Sequence, residues 1–155
     1  MDAFYAYYKD FTPNPTLSLF ANFDALSLSR NWAPGGRART RARRHFRNAM
    51  IEEFNTTYGT DDCDLGSWQN LCRVVGVASV PDSITQCKKA IRKTHVNLVD
   101  LIDLGSSGGV VTAFASLKML RDYTRETGKY FPKNPTKEGG ILKALLRDMA
   151  RGAEE

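Results

Sequence analysis

Apolar residues return every three or four positions through most of this chain, and proline or glycine interrupts the pattern at short intervals. That recurrence is the helical period, and a strand would need strict alternation instead. Leu19, Phe20, Phe23 and Leu26 define one such stripe, and Thr16 or Ser18 can cap the helix that carries it to about Asn31. After Pro34-Gly35-Gly36, Ala42, Phe46, Met50, Ile51, Phe54 and Tyr58 continue the period without a breaker. The spacing predicts one long helix over about 36–58, with Gly59 as a left-handed cap. Asp64 or Ser67 opens the next, with Leu65, Trp68, Leu71, Cys72 and Val75 inward and Gly76 as its stop.

Pro81-Asp82-Ser83 is a strong helix start, and Ile84, Cys87, Ile91, Leu98, Leu101 and Ile102 extend the stripe to Leu104. Gly105-Ser106-Ser107-Gly108-Gly109 then breaks the chain. Val110-Val111-Thr112 is the one β-branched run there, and reads as extended chain or a very short strand. Ser116 caps a helix through Thr127 with Gly128 at its end, and Thr136 opens the last, carrying Ile141, Leu142, Leu145, Leu146 and Met149. Phe4, Tyr7, Tyr8 and Phe11 form an aromatic arm over residues 1–15, helical or extended, closed by Pro13-Asn14-Pro15. Residues 152–155 are expected to fray. The expectation is an all-α, compact single domain over 1–155: a bundle of about six helices, with room for one very short strand pair.

Composition bounds the function. At 155 residues and 42% apolar, the chain can bury a full core without staples. Three cysteines, Cys63, Cys72 and Cys87, are an odd number, and no segment has the build of a signal peptide or the length of a membrane span. Those features point to the cytoplasm or nucleus, with reduced thiols. No Cys-x2-Cys pair exists, so no metal or cofactor is expected. His45 and His95 lack a local partner pattern for nucleophilic or acid–base work, and no catalytic residue is assigned.

The most unusual feature is a run of arginines: Arg37, Arg39, Arg41, Arg43, Arg44 and Arg47 within eleven residues, with no acid among them. On a helix they cover more than half of the circumference, leaving Ala38, Ala42 and Phe46 for packing. Unneutralised cations on the first turns oppose the positive end of the helix dipole. An anionic partner would offset that cost, and arginine suits bidentate contact with phosphate or carboxylate. A solvated face, or pairing with acids such as Asp61, Asp62 and Asp64, accounts for the run equally. Lys88, Lys89, Arg92 and Lys93 form a second basic group opposite an apolar face, which is also what an ordinary amphipathic helix looks like. If the two groups share a surface, a phosphate-backbone footprint follows. Gly139 and Gly140, with Lys133 and Lys137 beside them, read either as close backbone packing or as a bare helix N-terminus that takes an anion.

Several stretches carry a likeness to known sequences: the N-terminal aromatic segment into Phe11-Thr12-Pro13-Asn14-Pro15, Trp68-Gln69-Asn70-Leu71-Cys72, Ser83-Ile84-Thr85-Gln86-Cys87-Lys88-Lys89, Thr94-His95-Val96-Asn97-Leu98-Val99-Asp100, Leu120-Arg121-Asp122-Tyr123-Thr124, Phe131-Pro132-Lys133 and Glu138-Gly139-Gly140-Ile141-Leu142. Together they resemble a widespread family of small, uncharacterised fungal intracellular proteins, along nearly the whole chain. The resemblance implies a fungal intracellular protein and nothing catalytic. In that family the segment matching residues 37–47 is charged but less uniformly basic, so polyanion binding is not among the things the resemblance implies. Three functions stay open: a non-catalytic helical module that binds a protein partner, a nucleic-acid binder using residues 37–47 with 88–93, and an enzyme of unknown class.

Overall fold

The structure, a computed structural model, describes residues 1–105 and 109–151. Among them the chain forms eight helices and no strand: α1 (Asp2–Ala6), α2 (Leu19–Ser29), α3 (Arg37–Tyr58), α4 (Leu65–Val74), α5 (Ile84–Arg92), α6 (Leu98–Gly105), α7 (Leu117–Thr127) and α8 (Gly140–Arg151). It is an all-α bundle. Residues 106–108, the middle of the expected glycine-rich break, and the tail at 152–155 lie outside the described residues. No described helix is long and apolar enough to cross a membrane.

Three of the expected caps form as side-chain hydrogen bonds. Ser18 Oγ accepts from the Ala21 amide, Asp64 from Ser67, and Ser116 from Met119. Each satisfies one of the first-turn N–H groups that a helix leaves unpaired. Gly59 ends α3 with φ +90° as expected, but its ψ of 167° makes it an extended reversal rather than a left-handed helical cap.

α3 is the spine. Its C-terminal half buries Met50, Ile51, Phe54 and Tyr58 completely or nearly so, and the helix packs on α1, α4, α6 and α8. Two polar atoms drawn into this core find partners: the Tyr58 hydroxyl donates to Leu101 O at 2.7 Å, and Trp68 Nε1 donates to Asp62 O at 2.9 Å; the buried Tyr5 hydroxyl has none among the described residues.

Two boundaries differ from expectation, and both raise or shift the helix count. The single helix expected from Ser83 to Leu104 is two, α5 and α6, separated at residues 93–97. Asn97 decides it. Its Oδ1 accepts the amides of Val99 at 2.9 Å and Asp100 at 3.2 Å, and its Nδ2 donates to Lys129 O and Thr124 Oγ1. A buried asparagine with four such partners does more as a cap than inside a helix, where it would compete with the backbone. Just before it Val96 stays in the core, and the His95 carbonyl accepts the Phe114 amide at 2.7 Å. Among the described residues the one isolated bridge joins His95 to Phe114, two positions beyond the Val110-Val111-Thr112 run, which is extended chain rather than a strand. The aromatic arm supplies the other extra helix, α1.

The last helix starts at Gly140, not Thr136. Asn134 holds the preceding turn: its carbonyl accepts the Lys137 and Glu138 amides, and Glu138 Oε1 accepts the Asn134 amide. The chain then passes so close to α3's end that a Cβ on Gly139 would lie 2.8 Å from Thr60 Cγ2 and 2.9 Å from Thr60 Cα. Only glycine fits such an approach.

Candidate functional site

The six arginines of residues 37–47 do not behave alike. Ala42 and Phe46 face the core, and Phe46 sits among Phe4, Phe20 and Phe23 with ring centroids 5.4, 6.1 and 4.8 Å away. Ala38, expected on the same packing strip, is exposed. Arg39 turns inward in its place. Its guanidinium lies 6.0 Å from the Phe23 ring centroid and 3.3 Å from Asp24 Oδ1. A long aliphatic stem can cover an aromatic face while its charged head stays wet, so Arg39 packs where a shorter residue would not reach.

Arg37, Arg41, Arg43, Arg44 and Arg47 are exposed. Among the described residues, no carboxylate lies within 4 Å of any of them; in this half of α3 Arg39 alone has one, from Asp24. The acids suggested as alternatives are engaged elsewhere. Asp64 accepts from Ser67, which holds its carboxyl below the usual range, and Asp61 Oδ1 accepts the Cys63 amide. Gly36 caps α3 without a side-chain bond, and the first turn holds no acid. The basic face is therefore solvent-facing and largely uncompensated.

Beside it lies a groove of about 860 Å³ between α1 and α3. Phe4, Tyr7, Tyr8 and Ala49 line it together with Arg41, His45, Glu52 and Glu53. Tyr7 is 80% exposed at its lip. Tyr8 is held from behind, edge-on to Trp32 at 5.6 Å and under the Arg30 guanidinium at 5.4 Å. Tyr5, another ring of the same arm, is buried, and burial raises its hydroxyl pKa well above the usual range.

The second basic group has different neighbours. α5 packs chiefly on α4, and Lys88 lies over the Trp68 ring at 5.1 Å. Lys89 and Arg92 occupy the last turn of α5, where cations complement the dipole's negative end. Residues 37–47 instead meet α1 and α2 through Phe46, Arg39 and Arg41.

At the start of α8 the N–H groups of both glycines are taken by protein. Gly139 N donates to Asn55 Oδ1 at 3.2 Å and Gly140 N to Thr60 O at 2.8 Å. Asp62 stands against Gly140, and Lys137 pairs with Glu52 at 3.4 Å. Lys133 is exposed. Close packing accounts for both glycines.

Sequence reasoning missed the most tightly paired polar cluster. Lys129 Nζ donates to Asp100 Oδ1 at 2.6 Å and to the Tyr123 hydroxyl at 2.9 Å, and that hydroxyl donates to Asp100 Oδ2 at 2.7 Å. It ties α6 to α7 and to the segment after it. The residues stand 23 and 29 positions from Asp100, so no local spacing signals the contact. Cys72 and Cys87 are buried free thiols, and burial pushes the Cys72 pKa up to about 12. Asp61, Asp62 and exposed Cys63 bring three ligand atoms within 4.8 Å of one another.

No protein-family model matches the chain, and no curated protein or solved structure matches it either. The functional reading therefore rests on the geometry alone.

Proposed function

We propose that this chain is a non-catalytic helical interaction module that binds a protein partner through the α1–α3 face. One observation carries the reading: an aromatic-lined groove of about 860 Å³ opens beside arginines that have no carboxylate partner among the described residues. A groove of that size holds a few side chains of a partner. Exposed tyrosine and arginine are also the residue types enriched where interfaces concentrate their energy. The free thiols of Cys63, Cys72 and Cys87 support a cytosolic or nuclear setting. The resemblance to small fungal intracellular proteins is compatible with such a role.

Nucleic-acid binding is the second reading, favoured by the five uncompensated arginines. The different neighbours of α3 and α5 weaken it, because a duplex footprint would draw on both basic groups. A photo-crosslinking amino acid at Tyr7, compared with the same group at exposed Lys118, tests both readings in cells. Discrete protein adducts from Tyr7 that survive nuclease are the expected result. Adducts that vanish with nuclease would transfer the case to nucleic acid, and equal labelling from both positions would remove the face from consideration.

A further inference from the structure

We infer that the α1–α3 groove takes an acidic peptide segment of its partner, seated in one direction: carboxylates at the Arg41 end, an apolar anchor on the floor made by Phe4 and Ala49. The inference rests on the interaction-module reading and adds the chemistry and polarity of the occupant.

The groove is electrically lopsided. At one end stand Arg41 and His45, with Arg37 one turn before Arg41 and Arg44 on the next turn. Arg41 has no carboxylate within reach among the described residues. At the other end stand Glu52 and Glu53, and both are already paired. Lys137 Nζ lies 3.4 Å from Glu52 Oε1, and the Met1 ammonium pairs with Glu53. The uncompensated charge of the lining thus sits at the Arg41 end and is positive. Between the ends, Phe4, Ala49 and the lip of Tyr7 offer apolar surface. Arg41 and Glu52 are eleven residues apart on one helix, a rise of roughly 16 Å. That length suits about three turns of a partner helix or about five extended residues.

A single-stranded nucleic acid fits this groove less well. Its backbone carries charge at every nucleotide, so it would lead phosphates past Glu52 and Glu53. It would also want successive free rings for stacking, whereas Tyr8 is committed to Trp32 and Arg30. A peptide can place its acids at one end only. Arginine then meets a carboxylate through two parallel hydrogen bonds, shielded by the anchor packed beside them.

The test is a selection of random twelve-residue peptides displayed on phage against the full chain. Fluorescence anisotropy on the enriched peptides follows, with an oligodeoxythymidylate as a competing probe. The expected winners carry two or more Asp or Glu beside an apolar residue and shift the backbone amide signals of Ala3, Tyr7 and Ala49. Arg41→Glu should weaken them about tenfold or more, the scale of a lost charge-assisted contact. Tyr7→Ala, at an exposed position that cannot disturb folding much, should weaken them severalfold. Arg43→Glu, outside the groove lining, should leave affinity within about twofold. Winners without an excess of acids, winners indifferent to Arg41→Glu, or winners displaced by the oligonucleotide with Arg43→Glu as damaging as Arg41→Glu would each overturn the assignment. Peptides that bind specifically at another face would remove this assignment but not the module reading; no enriched peptide at all would remove both.

Discussion

At Asp100 the fold gathers a carboxylate, a phenol and an ammonium within 2.9 Å of one another, whereas between residues 37 and 47 it sets out six guanidinium groups, of which only Arg39 meets a carboxylate among the described residues. Burial separates the two regions. The Asp100 and Lys129 side chains keep 16% and 22% of their exposure, so each needs a partner to offset lost hydration. The outer arginines keep their water and need none. The first cluster uses charge to hold α6 to the segment after α7. The second is carried by a helix that is itself held by rings, and its charge is left over for something else.

Breaking the ring support gives the largest expected effect. Phe46→Ala should cost about 3–5 kcal/mol, because it empties a site packed by Phe4, Phe20 and Phe23. Urea unfolding measures it, and amide exchange over residues 37–47 should quicken. A loss below about 1 kcal/mol would mean that the basic half of α3 is not held by this core.

Lys129→Met comes next. Asp100 would keep the Tyr123 hydroxyl but lose its counter-charge in a largely buried setting. Removing one partner of a buried pair costs about 3–5 kcal/mol, and the residual exposure here lowers the expectation to about 2 kcal/mol. Arg44→Met, in the other region, should stay within about 0.5 kcal/mol. Equal losses from the two variants would erase the contrast between paired and unpaired charge.

Much of the fold was legible because the helical stripes are long and their caps are local. Ser18, Asp64 and Ser116 sit directly before the residues they cap, so a reader of the chain can find them. Asn97 is legible only as a polar residue within an apolar stripe, and its capping role depends on Lys129 and Thr124, about thirty positions away. The candidate face was half legible. The arginine run shows in the sequence, but the inward turn of Arg39 depends on Phe23 and Asp24 of another helix. The groove depends on where α1 docks, which no spacing encodes. The glycine pair at 139–140 was visible as an anomaly, and the approach of Thr60 supplies its reason.

Alkaline titration separates the regions without mutation. Burial raises the Tyr58 pKa from 10.0 to about 12 and also raises those of Tyr5 and Tyr123. Burial alone would lower that of Lys129, but the hydrogen bonds to Asp100 and Tyr123 outweigh it and raise it above 10.5. For each of these groups the folded state favours the protonated form. The stability they contribute is whole below the unfolded pKa near 10 and is lost as pH climbs through the raised values. Unfolding free energy should therefore fall steeply above about pH 10, in step with tyrosinate absorbance. Lys129→Met should shallow that slope. Reversal of an exposed arginine should not, since guanidinium stays protonated throughout this range.

The smallest expected effect has an unusual sign. Arg37 is the first residue of α3, behind a glycine cap that supplies no side-chain bond and in a turn with no acid. Arg37→Glu replaces a cation at the dipole's positive end with an anion, worth about 0.3–1 kcal/mol in favour of the helix. The variant should unfold at slightly higher urea than the parent and lose part of that gain in high salt, where exposed charges are screened. The same change should weaken an acidic peptide bound at the neighbouring Arg41 end. A more stable protein that binds less well would mean that the arginines are kept against the preference of their own helix, for the partner's sake. A less stable one would mean that Arg37 does structural work, and the surplus of charge on this face would then lose its functional explanation.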